Sequence, residues 1–279
     1  MIIVTGAAGK LGREIVEQLL NRLPANRIVA SLREPLKATA LSERGVQVRS
    51  ADFADAKGLS AAFAGAEQVL VMSVDKLGDV ARQLHQAAIH AAREAGAHRV
   101  LYTSHMGARA DSPFAPACDH AATEAMLAEG GAPFTSLRHG FYAESGLHMI
   151  GKAFETGELR VPEDGPVSWT ARNDLAEADA LVLAEEGRLN GLTPPLTAPQ
   201  AFTMAELATI ASELTGREVR HVTITDNQWL DERVAQGAPR LMAEMLLGMY
   251  KAARRGDFAT VDPTLEALLG AAHRQCAMC

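Results

Sequence analysis

A set of evenly spaced glycines follows a short apolar segment at the N-terminus and limits the folds open to this chain. Ile2-Ile3-Val4 has the composition of a buried strand, and Gly6, Gly9 and Gly12 come after it at intervals of three residues. From Leu11 to Leu20 the apolar residues recur at helical spacing. A strand, a glycine turn and a helix in this order are typical of the first unit of a dinucleotide-binding fold.

Each glycine of this turn has a separate steric role. Gly6 permits the tight turn, Gly9 lets the backbone approach a pyrophosphate, and Gly12 lets the helix pack close to the strand. The start of the helix offers unpaired N–H groups to phosphate oxygens. A purely structural glycine turn is the alternative, but the position between a strand and a helix favours the nucleotide site.

The rest of the first half alternates strand-like and helix-like segments. Further strands are predicted at Arg27–Leu32, Val46–Val48, Gln68–Ser73, Arg99–Thr103 and Phe134–Arg138. A predicted helix from Val80 to Ala95 ends at Gly96, which is a typical helix stop. Strands separated by helices indicate an α/β fold with a doubly wound parallel sheet of the Rossmann type.

After residue 145 the alternation weakens and helical patterns dominate. Helices are predicted at Asn173–Glu186, Met204–Leu214 and Arg240–Ala253. We therefore expect a dinucleotide-binding Rossmann domain over residues 1–145 and a smaller, mostly helical substrate-binding region over residues 146–279, partly interleaved with the first. The Met-rich stretch Leu241–Tyr250 fits core packing better than a wall for flat aromatic substrates.

The composition argues against several classes of protein. Lys and Arg number 27 against 34 Asp and Glu, and a net charge of −7 does not suit nucleic-acid binding. No apolar run reaches the roughly 18 residues of a membrane span, and the N-terminus lacks the basic start of a secretory signal. Three cysteines are too few for a disulfide framework. We expect a cytoplasmic protein with neither a nucleic-acid nor a membrane partner.

A metal site is not expected either. Cys276 and Cys279 have a spacing that zinc sites use, but they form a single pair with only His273 nearby. A structural zinc ion needs four ligands, so the pair is interpreted as part of an irregular tail.

The residues after the second predicted strand bear on the choice of coenzyme. Enzymes that use NAD place an acid about 20 residues beyond the glycines, where it binds the ribose 2′-OH. This chain has Arg33 there, followed by Glu34, with Lys37 nearby. A guanidinium suits a 2′-phosphate, because it can form two charge-assisted hydrogen bonds with it. NADPH is the predicted coenzyme, Glu34 leaves NADH open, and a solvated surface arginine is the alternative.

Two more short segments follow predicted strands. Asp52-Phe53 comes after the third strand, where a carboxylate and a ring can flank the adenine. Ser73-Val74-Asp75 comes after the fourth strand, near the expected place of the nicotinamide ribose. Both interpretations rest on the rule that ligands bind at the carboxyl ends of parallel strands, and ordinary loops are an equal alternative.

Several stretches of this sequence carry a family resemblance: Gly6–Gly12, Arg33–Pro35, Leu137–Tyr142, Thr170–Ala176 and Leu265–Gly270. They resemble the NmrA-like group of atypical short-chain dehydrogenase/reductases. The similarity extends to residue 270 and points to NADPH:quinone oxidoreductases, triphenylmethane-dye reductases and azoreductases.

This resemblance implies a set of coenzyme contacts. The implied residues are Gly6, Ala7, Ala8, Gly9, Lys10, Leu11, Arg33, Ser73, Val74, Asp75, His139, Gly140, Phe141, Tyr142 and Arg172. Asp52 and Phe53 join them because of their place after a strand. His139 stands where similar proteins often carry Asn.

The resemblance also shows what this chain lacks. Many short-chain enzymes use a Tyr-x-x-x-Lys pair to protonate a carbonyl oxygen, and the resemblance places Pro116 at the tyrosine and His120 at the lysine, with Glu124 after it. A proline cannot donate a proton, which disfavours alcohol–ketone chemistry. Hydride transfer to a quinone requires no dedicated acid such as this tyrosine, because the acceptor is electron-poor and water or a histidine can protonate the product.

We therefore predict an NADPH-dependent reductase that transfers hydride to a quinone, an azo dye or a triphenylmethane dye. His120, His139 and Tyr142 are the predicted catalytic groups, with His105 as a further donor, since a histidine with a pKa of about 6.5 can relay a proton near neutrality. A structural role is the alternative for each. The alternative function is a non-catalytic NADP(H)-binding redox sensor of the NmrA type. A homodimer is the oligomer that related folds suggest.

Overall fold

The structure is a computed structural model that describes residues 1–151 and 153–270. The chain divides into two compact units, each assembled from three separate stretches. Among the described residues, unit 1 comprises residues 1–105, 119–138 and 173–194, and unit 2 comprises residues 106–118, 139–172 and 195–270. The sequence analysis instead divides the chain once, at residue 145. Its assignment of coenzyme binding to residues 1–145 and substrate binding to residues 146–279 stays a prediction.

The strands of the described residues are short. They are β1 Ile2–Thr5, β2 Ile28–Leu32, β3 Gln47–Ser50, β4 Gln68–Val71, β5 Arg99–His105, β6 Phe134–His139, β7 Phe141–Tyr142, β8 Glu158–Pro162, β9 Trp169–Thr170, β10 Gly191–Leu192 and β11 Arg220–Ile224.

The helices are longer and more varied. They are α1 Lys10–Leu20, α2 Thr39–Glu43, α3 Ala56–Phe63, α4 Gly78–Glu94, α5 Ala115–Ala128, α6 Ala143–Ile150, α7 Ala153–Thr156, α8 Arg172–Ala184, α9 Met204–Thr215, α10 Asp226–Ala235, α11 Arg240–Arg254 and α12 Thr264–Leu269.

Unit 1 is organised around a seven-stranded sheet with the order β10-β6-β5-β4-β1-β2-β3. Strand β1 pairs in parallel with both β2 and β4. The chain runs outward from β1 to β3 and then returns to β4 on the other side of β1, so the strand order reverses between β1 and β4. This topology confirms the predicted doubly wound α/β fold. In such sheets a ligand binds at the carboxyl ends of the strands where the order reverses.

Burial explains why these segments form strands. β1, β2 and β4 are buried along their whole length, as expected when helices cover both faces of a parallel sheet. β3 lies at the edge of the sheet and is partly exposed. Its Arg49 donates hydrogen bonds to the carbonyls of Ala62 and Ala64, which gives the edge a charged residue that discourages pairing with another chain.

Unit 2 has an aromatic core that no periodic pattern in the sequence indicates. The ring of Phe141 lies 5.6 Å from Phe114, 5.5 Å from Trp169 and 5.0 Å from Phe258 between centroids. The rings meet at tilted or near-perpendicular angles, which aromatic pairs prefer. We call these four residues the aromatic core.

Most of the Met-rich stretch packs inside unit 2, in agreement with the core interpretation. Leu247, Met249 and Tyr250 of α11 are buried, whereas Leu241 and Met242 at the start of this helix are exposed.

The structure adds strands that the sequence analysis does not predict. In the region expected to be mostly helical, β8 pairs in parallel with β11, and β9 pairs with β7, which lies just before that region. β11 is only partly buried and mixes polar with apolar residues, so it lacks the pattern of a strand. β10, β7 and β9 have two residues each, which is too short for any periodicity.

No helix among the described residues combines the length and the apolar composition that crossing a bilayer requires.

Candidate functional site

A cavity of about 360 Å³ lies in unit 1 at the carboxyl ends of β1, β2, β3 and β4. Its volume is in the range of small-molecule sites, about 300–1,000 Å³. The lining residues are Thr5, Gly6, Ala8, Gly9, Ser31, Leu32, Arg33, Glu34, Lys37, Ala51, Asp52, Phe53, Met72, Ser73, Val74, Asp75, Lys76 and Leu84. We call this space the glycine-turn cavity. It lies where the strand order reverses.

The glycine turn forms one end of the cavity. Gly6 has a φ of +62°, a left-handed conformation that side chains disfavour. The Gly9 N–H donates to the Gly6 carbonyl at 2.9 Å and closes the turn. A Cβ atom on Gly12 would lie 2.5 Å from the Gly6 oxygen, so only glycine lets α1 start this close to β1. Gly6 and Gly12 therefore meet the steric needs that the sequence analysis gives them, and the approach of a pyrophosphate to Gly9 stays a prediction.

Helix α1 begins at this turn without a competing anion. Gly9 occupies the position before the helix, no side chain caps it, and the first turn holds no acidic residue. The first N–H groups of a helix lack partners within it and carry a partial positive charge. A phosphate at the turn would therefore meet open donors.

Three predicted residues of this loop lie outside the cavity lining. Ala7 is buried, and its N–H approaches the Ser31 carbonyl at 3.4 Å. Lys10 is exposed in the first turn of α1, and Leu11 packs into the core. Their predicted coenzyme contacts stay predictions, because a main-chain contact at the turn does not require the side chain to face the cavity.

Charged residues form another part of the lining, just beyond β2. The Lys37 ammonium lies 2.7 Å from Glu34 Oε1, and both side chains are exposed. The hydrogen bond from Lys37 lowers the pKa of Glu34, and the charges of Lys37 and Arg33 act in the same direction. Within the described part of the chain, the Arg33 guanidinium is in no ion pair. This corner therefore holds two cations against one carboxylate that already has a partner.

The two segments that follow β3 and β4 also line the cavity. Asp52 and Phe53 come after β3, and the Asp52 carboxylate accepts a hydrogen bond from the Ala54 N–H at 3.0 Å, which fixes the loop. Ser73, Val74 and Asp75 follow β4. Both segments, which the sequence analysis selects because they follow strands, therefore line one cavity.

The sequence analysis misses several lining residues. Ala51 and Met72 directly follow β3 and β4, so the same rule could have found them. Leu84 belongs to α4, and nothing in its sequence context distinguishes it from other apolar residues of that helix. Only the packing of α4 brings it to the cavity.

His120 lies on α5 in a small cluster of aromatic side chains. Its Nδ1 is 2.8 Å from the Tyr102 hydroxyl, and its ring stacks on His105 with 5.9 Å between centroids. His105 is the last residue of β5. Pro116 lies in the first turn of α5, where a proline is tolerated. Among the described residues that line the glycine-turn cavity, none is Tyr102, His105 or His120.

An ion pair with a buried carboxylate fixes the helix that carries His120. Glu124 accepts hydrogen bonds from the hydroxyls of Ser104 and Ser136 at 2.8 and 2.9 Å. Arg138 donates to both carboxylate oxygens, at 2.9 and 2.6 Å, and these bonds raise the pKa of its guanidinium. The network ties α5 to β5 and β6.

The remaining predicted residues belong to unit 2. His139 is buried, and its carbonyl accepts from the Met106 N–H at 2.8 Å. A Cβ on Gly140 would lie 2.2 Å from Thr170 Oγ1, so the chain there must be glycine. Phe141 belongs to the aromatic core.

Tyr142 and Arg172 form a stacked pair in unit 2. The Arg172 guanidinium lies 5.1 Å from the centre of the Tyr142 ring. The Glu144 carboxylate accepts a hydrogen bond from the Arg172 backbone N–H at 3.2 Å and forms an ion pair with the Arg172 guanidinium at 3.6 Å. The roles predicted for these residues stay predictions.

The expectation about metal concerns residues that the structure partly omits. Cys276, Cys279 and His273 lie outside the described residues. Across residues 1–151 and 153–270, no group of three or more His, Cys, Asp or Glu side chains is placed to hold a metal ion.

A comparison with known proteins agrees with the fold and with the glycine turn. The sequence pattern of the NmrA-like family matches residues 1–273, almost the whole chain. The chain belongs to the NmrA-like family.

Other proteins of known structure or activity resemble this NmrA-like protein over nearly their whole length. The crystal structure of an NADPH-dependent quinone oxidoreductase of Escherichia coli, complexed with NADPH, is 34% identical, covers 96% of this chain and 94% of its own, and has a TM-score of 0.91. The triphenylmethane reductase of Citrobacter sp., complexed with NADP(H), is 33% identical with coverages of 98% and 97% and a TM-score of 0.90. The NAD(P)H azoreductase of Xenophilus azovorans is 32% identical over 97% of this chain and 93% of its own length.

Proposed function

We propose that this NmrA-like protein is an NADPH-dependent reductase that transfers hydride to a quinone or another planar conjugated acceptor. One observation carries the proposal: a single cavity combines the glycine turn at the start of α1 with the Arg33 and Lys37 cations beyond β2. The similar quinone, triphenylmethane and azo reductases support the class of acceptor.

The cavity fits a phosphorylated dinucleotide on steric and electrostatic grounds. The absence of a side chain at Gly6 and Gly9 leaves room for a diphosphate against the first N–H groups of α1. Arg33 is available for a 2′-phosphate, because Glu34 is engaged with Lys37. An unpaired acid in this corner would instead repel that phosphate and favour NADH.

The chemistry divides between the coenzyme and the protein. NADPH supplies the hydride when bound, and the two-electron reduction of a quinone consumes one NADPH and one proton. The protein binds and orients the two reactants and limits the access of water. Ser73, Val74 and Asp75, at the end of β4, are the residues we propose to orient the nicotinamide side.

His120 is the residue that we propose as proton donor to the reduced acceptor. Its Nδ1 lies 2.8 Å from the Tyr102 hydroxyl, which orients the ring, and a protonated imidazole is a donor through its N–H groups. The ion pair of Arg138 with the buried Glu124 carboxylate holds the helix on which His120 lies. Water is an alternative donor, because the hydroquinone anion is a stabilised phenolate that can take its proton from water. Roles for His139 and Tyr142 in the same step are further proposals.

The activity test compares Arg33→Glu with Arg217→Glu, an exposed arginine of unit 2 that serves as the control. Consumption of NADPH is followed with a simple quinone as acceptor. Losing charge-assisted hydrogen bonds and adding repulsion is expected to raise the KM for NADPH about 100-fold. The KM for NADH, which lacks the 2′-phosphate, is expected to change less than about threefold, and the control not at all.

An unchanged KM for NADPH in Arg33→Glu would refute the proposed site. A parent protein that binds NADP⁺ firmly but reduces neither quinones nor dyes would favour the redox sensor. Pro116 at the usual tyrosine position is compatible with both functions. A cytoplasmic location and a homodimer stay proposals, to be checked by fractionation and by sedimentation.

A further inference from the structure

The three residues after β4 share an unusual pattern of hydrogen bonds. Each of their backbone N–H groups donates to a side chain from a different element instead of to a carbonyl. The pairs are Met72 to Thr5 Oγ1 at 2.8 Å, Ser73 to Thr103 Oγ1 at 2.9 Å and Val74 to His85 Nε2 at 3.0 Å. The loop after β4, which lines the glycine-turn cavity, is therefore held by side chains of β1, β5 and α4.

His85 differs from the two threonines because only one form of its ring fits. Its Nε2 accepts from Val74, so this nitrogen carries no proton. Its Nδ1 lies 2.9 Å from Thr123 Oγ1, and that hydroxyl donates to the Asp119 carbonyl at 2.8 Å. The Thr123 oxygen must therefore accept from Nδ1–H. The whole chain of hydrogen bonds has a single consistent arrangement, with His85 neutral and protonated on Nδ1.

The surroundings of the ring favour this neutral form. His85 is 2% exposed, and its ring meets Tyr102 edge-on at 5.2 Å. Burial lowers the pKa of His85 to about 4. Near neutral pH the imidazole is therefore a permanent acceptor for the Val74 N–H.

We propose that His85 is a positioning residue that holds the Ser73–Asp75 loop against the coenzyme and ties it to α5, the helix that carries His120. This inference rests on the proposed function, because it takes the glycine-turn cavity as the coenzyme site. His85 acts through Val74 and Thr123 and does not itself line the cavity.

Removal of the His85 imidazole should lower the affinity for the coenzyme. Without the acceptor, the Val74 amide must find another partner and the loop loses its fixed conformation. A binding surface that is ordered only on binding loses affinity, because the ordering then opposes association. Loss of one such hydrogen bond is expected to weaken NADP⁺ binding about tenfold.

The experiment compares His85→Leu, His85→Gln and His90→Leu. His90 lies on the same helix, is exposed, and pairs with Glu94, so it is the matched control. His85→Leu should raise the Kd for NADP⁺ about tenfold, with a smaller effect on kcat than on KM for NADPH. His85→Gln should restore most of the affinity, since its amide oxygen can accept from Val74. The control should stay within about twofold of the parent.

Two measurements on the coenzyme-free protein test the role independently of the proposed function. The ¹⁵N shifts of His85 should show the form protonated on Nδ1, and the Val74 amide should exchange slowly in the parent and in His85→Gln but rapidly in His85→Leu. If His85→Leu does not fold, Thr123→Val removes the other partner of the ring and should also speed Val74 exchange.

The outcomes separate the two ideas. Slow Val74 exchange and unchanged NADP⁺ binding in His85→Leu would overturn the positioning role. A parent that fails to bind NADP⁺ would overturn the proposed function, while the exchange and ¹⁵N data would still decide whether His85 fixes the loop.

Discussion

The glycine-turn cavity of unit 1 and the aromatic core of unit 2 are built in different ways. Around the cavity, the backbone supplies the key groups: a left-handed Gly6, the open start of α1 and three amides fixed by side chains. In the aromatic core, rings from separate stretches of chain contact one another, as Phe141 does with Trp169 and Phe258.

The two regions should therefore respond differently to mutation, one in binding and the other in stability. A charge placed at the cavity should alter the affinity for an anion with little effect on folding. A ring removed from the aromatic core should lower the free energy of unfolding, because its contacts serve packing. The predictions below test this contrast.

The largest expected effect is the loss of coenzyme binding in Gly9→Asp. Two unit charges 4 Å apart interact by about 4 kcal/mol at an effective dielectric constant of 20, which corresponds to a factor of about 1,000 in Kd. The new carboxylate would lie beside the diphosphate, so the Kd for NADPH should rise by about that factor. Isothermal titration calorimetry measures it.

Gly9→Ala is the matched control for size. Gly9 has a φ of −70°, which alanine adopts readily, and a Cβ there would lie 3.2 Å from the Gly6 oxygen. We expect Gly9→Ala to bind NADPH far more tightly than Gly9→Asp. Equal binding by the two variants would show that the diphosphate lies elsewhere.

Next in size is the destabilisation caused by Phe258→Ala in unit 2. Phe258 is fully buried and packs against Phe114 and Phe141, so truncation should lower the free energy of unfolding by about 3–5 kcal/mol. Urea denaturation checks this value. Leu241→Ala is the control, because Leu241 is 73% exposed and its truncation should change stability by less than about 0.5 kcal/mol. Similar losses in both variants would contradict the assignment of the core.

A smaller effect is expected from acid acting on His85. Burial lowers its pKa from 6.5 to about 4, so between these values the unfolded chain binds a proton that the folded protein excludes. Its contribution to stability is complete above about pH 6.5 and decreases as the pH falls towards 4. The total loss is about 3 kcal/mol. The groups facing the ring are Val74, Thr123 and Tyr102, all uncharged at neutral pH.

His85→Gln removes the pH-dependent contribution of this residue to stability, because glutamine does not titrate. Between about pH 7 and pH 4 the parent should lose about 3 kcal/mol more than this variant, measured by urea denaturation at each pH. Carboxylate protonation affects both proteins alike. Parallel losses would show that the ring is protonated in the folded protein without penalty.

Much of unit 1 could be predicted from sequence because its signals are local. The positions of Gly6, Gly9 and Gly12 follow from steric needs within one turn, and the strands of a covered parallel sheet are short apolar runs. Arg33, Asp52 and Ser73 could be placed at one cavity, since parallel strands end at the same edge.

The rest depends on contacts between distant residues. Pro116, His120 and Glu124 were placed by family resemblance, yet nothing in their spacing reveals that Tyr102 binds His120 or that Arg138 pairs with Glu124. The pairing of β8 with β11 likewise joins segments whose patterns do not identify either as a strand.

The doubly wound sheet and the glycine turn follow from the sequence alone, because apolar strand segments, helical periodicity and the conformational freedom of glycine act over a few neighbouring residues. The side chains that hold the loop after β4 follow instead from contacts between distant segments. In the sequence, nothing distinguishes His85 from the other residues of its helix. Its two ring nitrogens gain their partners, Val74 and Thr123, only because α4 packs beside the loop after β4 and beside α5.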